Sequence, residues 1–113
     1  MLTAAAVAAD GWPSQIEILS WEVRYAEQLN AEDSMVRSCG LIQSMGIKEK
    51  QPGLIYVDGL GRCEGQRRMA EVEGILDTIA KSFRQKFPNA GDFTIHVFDG
   101  RVTRRYGREG RDR

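Results

Sequence analysis

Two helical stripes of apolar residues flank one short strand-like run in this 113-residue chain. Ser14 and Glu17 match the S-x-x-E capping box that closes the unpaired amides of a helix start, so a helix is predicted over 15–29. On it, Ile16, Leu19, Val23 and Ala26 form one stripe, and Ile18, Trp21, Tyr25 and Leu29 form a second beside it. The combined apolar arc covers more than half of the circumference, wider than a one-sided surface helix needs. Gln15-Ile-Glu-Ile-Leu19 also alternates as a strand would, but the longer helical period is preferred.

Asn30 is placed to cap a second helix over 31–45, with Met35, Cys39 and Ile42 as its buried stripe and Gly46 as its stop. A polar connector, 47–53, leads to Leu54-Ile-Tyr-Val57, an apolar run short enough for a strand covered on both faces. The clearest element is a long helix over 64–86, where Met69, Val72, Leu76, Ile79, Phe83 and Phe87 hold one face. Gly74 inside it points to a close approach by another element. Phe93 to Phe98 alternates as a strand, Asp99-Gly100 is a strong hairpin signal, and 101–106 returns as its antiparallel partner.

The order is therefore α-α-β-α-β-β, an α+β fold with an α/β-like core. Its sheet is small, mixed and three-stranded. The β-α-β portion places its two strands in parallel with a right-handed crossover. The long crossover helix covers one face of the sheet and the two N-terminal helices cover the other. Residues 1–106 make one globular domain including an N-terminal arm, 1–13, and 107–113 form a basic flexible tail.

Composition adds few restrictions: 42% hydrophobic and 28% charged residues suit a globular domain. No apolar run approaches the ~20 residues that cross a bilayer, so no membrane role is expected. The small-residue start, 1–9, lacks the basic flank and apolar centre of a signal peptide, which favours a cytoplasmic location. Cys39 and Cys63, 24 positions apart, match neither a zinc nor a redox spacing and are expected as two unpaired, reduced thiols. Charge is uneven. The first fifty residues carry seven acids against four bases, whereas the last thirteen carry six arginines against two acids.

Four groups of residues could carry chemistry. Gly59-Leu-Gly-Arg-Cys-Glu-Gly65 lies between a strand and a helix, the setting of an anion loop, but lacks G-x-G-x-x-G spacing and a P-loop ending. Within it Cys63 stands at the expected helix start, which favours thiolate, although no general base accompanies it. A turn shaped by glycines, with an inert cysteine, is the plainer reading of both.

Asp58 and Asp99 each end a strand and precede a glycine. On parallel neighbouring strands both project from the carboxyl edge, where open α/β sheets take ligands, and Glu71, Glu64 or Glu73 would add a third acid. Ile55-Tyr-Val-Asp-Gly59, an acidic helix and Thr94-Ile-His-Val-Phe-Asp99 together resemble the ribonuclease H arrangement over less than half of the chain. The resemblance implies metal-dependent phosphodiester cleavage by Asp58 and Asp99 with Glu71 as the added candidate; the hairpin that family places between its acids is missing. Turn formation alone also accounts for both aspartates. His96, the single histidine, is read as a packed or partly exposed strand residue.

The remaining features point to binding. The over-wide arc offers Ile18, Trp21 and Tyr25 as aromatic and apolar anchors for a protein partner. Arg104, Arg105, Tyr106 and Arg108 offer guanidinium groups and a stacking ring to a protein rim or to nucleic acid. The expectation is a non-enzymatic interaction module, a small regulator, inhibitor or accessory subunit, of the kind mobile elements carry. It would bind a protein partner or a second copy, with no catalytic set, metal or cofactor. Nucleic-acid binding through the arginines and the metal-dependent nuclease are the alternatives.

Overall fold

The computed structural model describes residues 14–47, 53–107 and 110–111. The predicted arm, Arg108 and most of the connector lie outside them. The described elements are α1 (Gln15–Glu32), α2 (Ser34–Ser38), β1 (Ile42–Ile47), β2 (Leu54–Gly59), two single 3₁₀ turns (Gly61–Cys63 and Gln66–Arg68), α3 (Met69–Lys86), β3 (Phe93–Val97), β4 (Val102–Gly107) and the two-residue β5 (Gly110–Arg111). The strands form one mixed sheet in the order β1-β2-β3-β4-β5. Only β2 and β3 run parallel, with Tyr56 opposite His96 and Val57 opposite Val97.

The α+β class holds, but the predicted second helix does not extend to 45. Asp33, not Asn30, caps α2, its carboxylate accepting from the amides of Met35 and Val36. One turn later Gly40 and Leu41 both take left-handed backbone, and the Leu41 amide closes onto the Val36 carbonyl, the six-to-one bond of a Schellman stop. Six residues follow as strand β1, with an irregularity between Ile42 and Ser44. That irregularity breaks period-2 alternation within β1, which hides the strand in the sequence. The element order is thus α-α-β-β-α-β-β, one strand more than predicted before β5 is counted. The end of the chain is not purely a loose tail either, since Gly107 closes β4 and Gly110–Arg111 pairs with it.

A second correction concerns the layers. α1 does not cover the opposite face of the sheet: it lies along the β1 edge and packs against α3. The Trp21 ring meets Phe83 and Phe87 edge-on at centroid distances of 5.3 and 6.4 Å, its indole N–H donates to Ser82 Oγ (3.0 Å), and the Tyr25 hydroxyl donates to the Thr78 carbonyl. Inward-facing Ile55, Val57, Phe93, Ile95, Val97 and Tyr106 meet Val72, Ile75, Leu76, Ile79 and Phe83 of α3 in one buried core. Outward positions of the same strands, among them Tyr56, Asp58, Thr94, His96, Thr103 and Arg105, stay at least partly exposed. Gly74 admits no tight neighbour: a Cβ there would find only Met35 Sδ, at 3.7 Å.

α1 also runs antiparallel along β1. Near one end the Asn30 side-chain amide both donates to the Ile42 carbonyl (2.9 Å) and accepts from its amide (2.8 Å), as a neighbouring strand would. Eight residues earlier on the helix, Glu22 lies against Gly46, four residues later on the strand. Eight helical residues span about 12 Å and four strand residues about 13 Å, so the two elements keep register. A helix laid along an edge strand blocks further strand pairing there.

Cys39 and Cys63 are joined in a disulfide, their Cα atoms 5.0 Å apart, and both are fully buried. The expectation of two unpaired thiols therefore fails, because the β1–β2 pairing brings the end of α2 beside the loop after β2. By chain entropy, a link across 24 positions stabilises the fold by roughly 3–4 kcal/mol.

Candidate functional site

The glycine run after β2 is a backbone crossing. Gly59 has φ +120°, and a Cβ there would sit 2.5 Å from the Leu41 carbonyl oxygen and 2.8 Å from the Gln43 amide. Leu60 follows in left-handed backbone with its side chain buried, and its amide donates to the Leu41 carbonyl (2.9 Å). Cys63 then closes the disulfide. α3 begins at Met69, not at 64, so Cys63 does not stand at its first turn. The reactive-thiol reading fails on both counts.

All eight described residues with positive φ lie in segments that enter or leave this end of the sheet: Gly40, Leu41, Gly59, Leu60, Gly65, Phe98, Asp99 and Gly100. Bulky residues pay steric strain in that region of backbone space. Here Leu41, Leu60 and Phe98 adopt it where the β1, β2 and β3 chain paths turn back within one small area.

The same end carries an open cleft of about 520 Å³ lined by Tyr56, Val57, Asp58, His96 and Asp99. The parallel register sets Tyr56 beside His96 on the outer face, and Asp58 extends the Tyr56 row. Asp99 arrives from the β3–β4 turn, whose Phe98 and Asp99 are left-handed and whose Gly100 amide donates to the Val97 carbonyl. A Cβ on Gly100 would lie 3.3 Å from His96 Nδ1. Ser44 Oγ donates to Asp58 Oδ2 at 3.1 Å.

The topology thus brings Asp58 and Asp99 to one cleft, as the sequence suggests, and adds Tyr56 and His96, which were not expected there. The other candidate acids, Glu71 and Glu73 on α3 and Glu64 in the loop before it, stay outside its lining. Glu71 pairs with Arg68, Glu64 with Arg101, and Glu73 with Arg104. Among the described residues no three His, Cys, Asp or Glu side chains are grouped to hold a metal ion.

The predicted binding residues divide differently. Ile18 and Trp21 belong to the interior, at 5% and 6% exposure, so neither is available as a surface anchor. Tyr25 is half-buried, stacked on Trp21 at 5.7 Å. Tyr106 is buried as well: its ring stacks on Phe93 and its hydroxyl donates to Asp77 (2.8 Å), which leaves no face for a base. Arg104 is engaged by Glu73, and Arg105 by Asp92 at 3.2 Å.

What remains at the surface is the other half of the α1 arc. Ile16, Leu19 and Val23 are 78%, 49% and 57% exposed, and half-buried Ala26 continues their line. The arc is as wide as the sequence indicates, but its exposed half lies opposite Ile18 and Trp21.

No protein family, curated protein or solved structure matches this chain. The cleft and the α1 ridge therefore stand on their own chemistry. No described helix is long and apolar enough to cross a membrane.

Proposed function

We propose that this chain is a non-enzymatic interaction module that binds a protein helix to helix, and that the partner is a second copy of itself. The observation that carries this reading is the exposed ridge Ile16, Leu19 and Val23, continued by half-buried Ala26, on a helix whose opposite side is locked into the core. Contiguous exposed apolar side chains mark interaction surfaces.

The spacing favours self-association. Steps of three, four and three residues read identically in both directions, so two antiparallel copies related by a two-fold axis align apolar with apolar. Leu19 then faces Val23 and Ile16 faces Ala26. A formal net charge of zero adds no long-range repulsion between copies.

Two further observations support a binding role. Arg104, Arg105 and Tyr106 are engaged within the fold, which weakens the nucleic-acid reading. The buried disulfide favours an oxidising compartment over the cytoplasm expected from the sequence. A small, stapled module of this kind suits a regulatory or accessory role.

Sedimentation velocity over a concentration series tests the proposal. The wild-type chain is expected to shift from monomer to dimer, and the double variant Leu19→Glu, Val23→Glu to remain monomeric with an unchanged circular dichroism spectrum. A chain that stays monomeric at every concentration, or a dimer that survives both substitutions, overturns it.

A further inference from the structure

Glu22 is the one buried charged residue described, at 7% exposure, and its Oε2 has no hydrogen-bond partner among the described residues. Its carboxylate lies where α1 meets the β1 edge. A Cβ on Gly46 would stand 3.2 Å from both of its oxygens and 3.0 Å from the Tyr56 hydroxyl, so glycine at 46 is what lets the two polar groups approach the strand.

Among the described residues, little in the surroundings balances a charge. On its own helix the residues one turn away are Ile18, Leu19, Tyr25 and Ala26, and the Tyr25 hydroxyl is turned to Thr78. β1 contributes Gly46 between Met45 and Ile47, and β2 contributes the Tyr56 phenol. A carboxylate buried without a cation is costly, whereas the neutral acid is tolerated. Burial accordingly pushes the Glu22 carboxyl up from 4.5 to about 7.

We propose that Glu22 is a proton-operated latch on α1: neutral, it lets the helix lie closed along β1; ionised, it weakens the hold of the helix on that edge. Asn30 is the fixed end of the same contact, because its amide pairs with Ile42 at any pH. Opening the Glu22 end lets the carboxylate reach water, and it uncovers the outward groups of β1 around Gly46. The inference does not depend on self-association and is read on the monomer.

The direction follows from proton counting. Closed, Glu22 holds its proton up to about pH 7; open, only to about 4.5. Between those values the closed form binds more protons, so closure is strongest below 4.5 and weakens as pH rises to about 7, beyond which it is constant. From pH 5 to 8 the closing equilibrium falls on the order of 10²-fold.

Hydrogen exchange of α1 amides on the full chain, corrected for intrinsic rates and run on dilute protein, tests this. Wild-type protection is expected to fall on the order of 10²-fold between pH 5 and 8, while Glu22→Gln keeps one value. Equal pH dependence in both proteins, or none in wild type, overturns the latch. So does wild-type protection that rises with pH, since that marks an ionised Glu22 held by a cation. If the variant does not fold, a carbon-detected NMR titration of the wild-type Glu22 carboxyl decides: a midpoint near 7 supports the latch, and one near 4.5 overturns it.

Discussion

The inner side of α1 presents Ile18, Trp21 and Leu29 to the core, while its outer side presents Ile16, Leu19 and Val23 to solvent, although the two sets are almost equally apolar. What separates them is the company supplied by distant parts of the chain. Phe83, Phe87 and Ser82 receive Trp21, and no described element covers the outer ridge. Hydrophobicity thus sets the width of the arc, and tertiary neighbours decide which half becomes core. The same division assigns the inner half to stability and leaves the outer half as the surface proposed for association.

Substitutions on the two sides should therefore part company. Trp21→Ala removes a fully packed indole and its bond to Ser82, and should cost about 3–5 kcal/mol in denaturant unfolding. A loss below about 1 kcal/mol would mean that the inner half is not core. Asn30→Ala strips the Ile42 amide and carbonyl of their partner and should cost about 1–3 kcal/mol. Amide exchange at Ile42 should rise in parallel; unchanged exchange would show that water or another group already serves it. Leu19→Glu on the outer side should move monomer stability by less than about 0.5 kcal/mol, yet reduce dimer formation in sedimentation. If it unfolds the monomer instead, the distinction between the two faces collapses.

Much of the framework was legible because its signals are local. Ser14 and Glu17 form the expected capping box, the α3 stripe is buried from Val72 to Phe83, and the turn at Asp99-Gly100 joins antiparallel strands. Parallel pairing of β2 and β3 also follows from the intervening helix. β1 was hidden, since Ile42-Gln-Ser-Met-Gly-Ile47 neither alternates cleanly nor contains strong strand formers apart from its ends.

The candidate sites were legible only as sets of residue types. Asp58 and Asp99 share a cleft because one lies at the end of β2 and the other just after parallel β3, a topological fact available from the element order. Pairing of Arg104 with Glu73 and Arg105 with Asp92 depends on helix placement and hairpin register, so the arginines looked unoccupied in the sequence. Glu22 gave no signal at all. A glutamate on a helix is ordinarily solvated, and only the path of α1 along β1 buries this one.

Gly59 has a consequence for how relatives of this chain will look when they are aligned. Any side chain there would collide with the Leu41 carbonyl, so descent with this loop crossing intact must keep glycine at that position or reroute the backbone before β1. Gly61 and Gly65 face open space and are under no such packing demand, although Gly65 is held to glycine by its φ of +134°. Selection for chain clearance alone would then leave a glycine pattern between a strand and a helix, and an observer would be tempted to assign it to nucleotide recognition. Variation at 61 beside fixity at 59 would be the mark of steric ancestry.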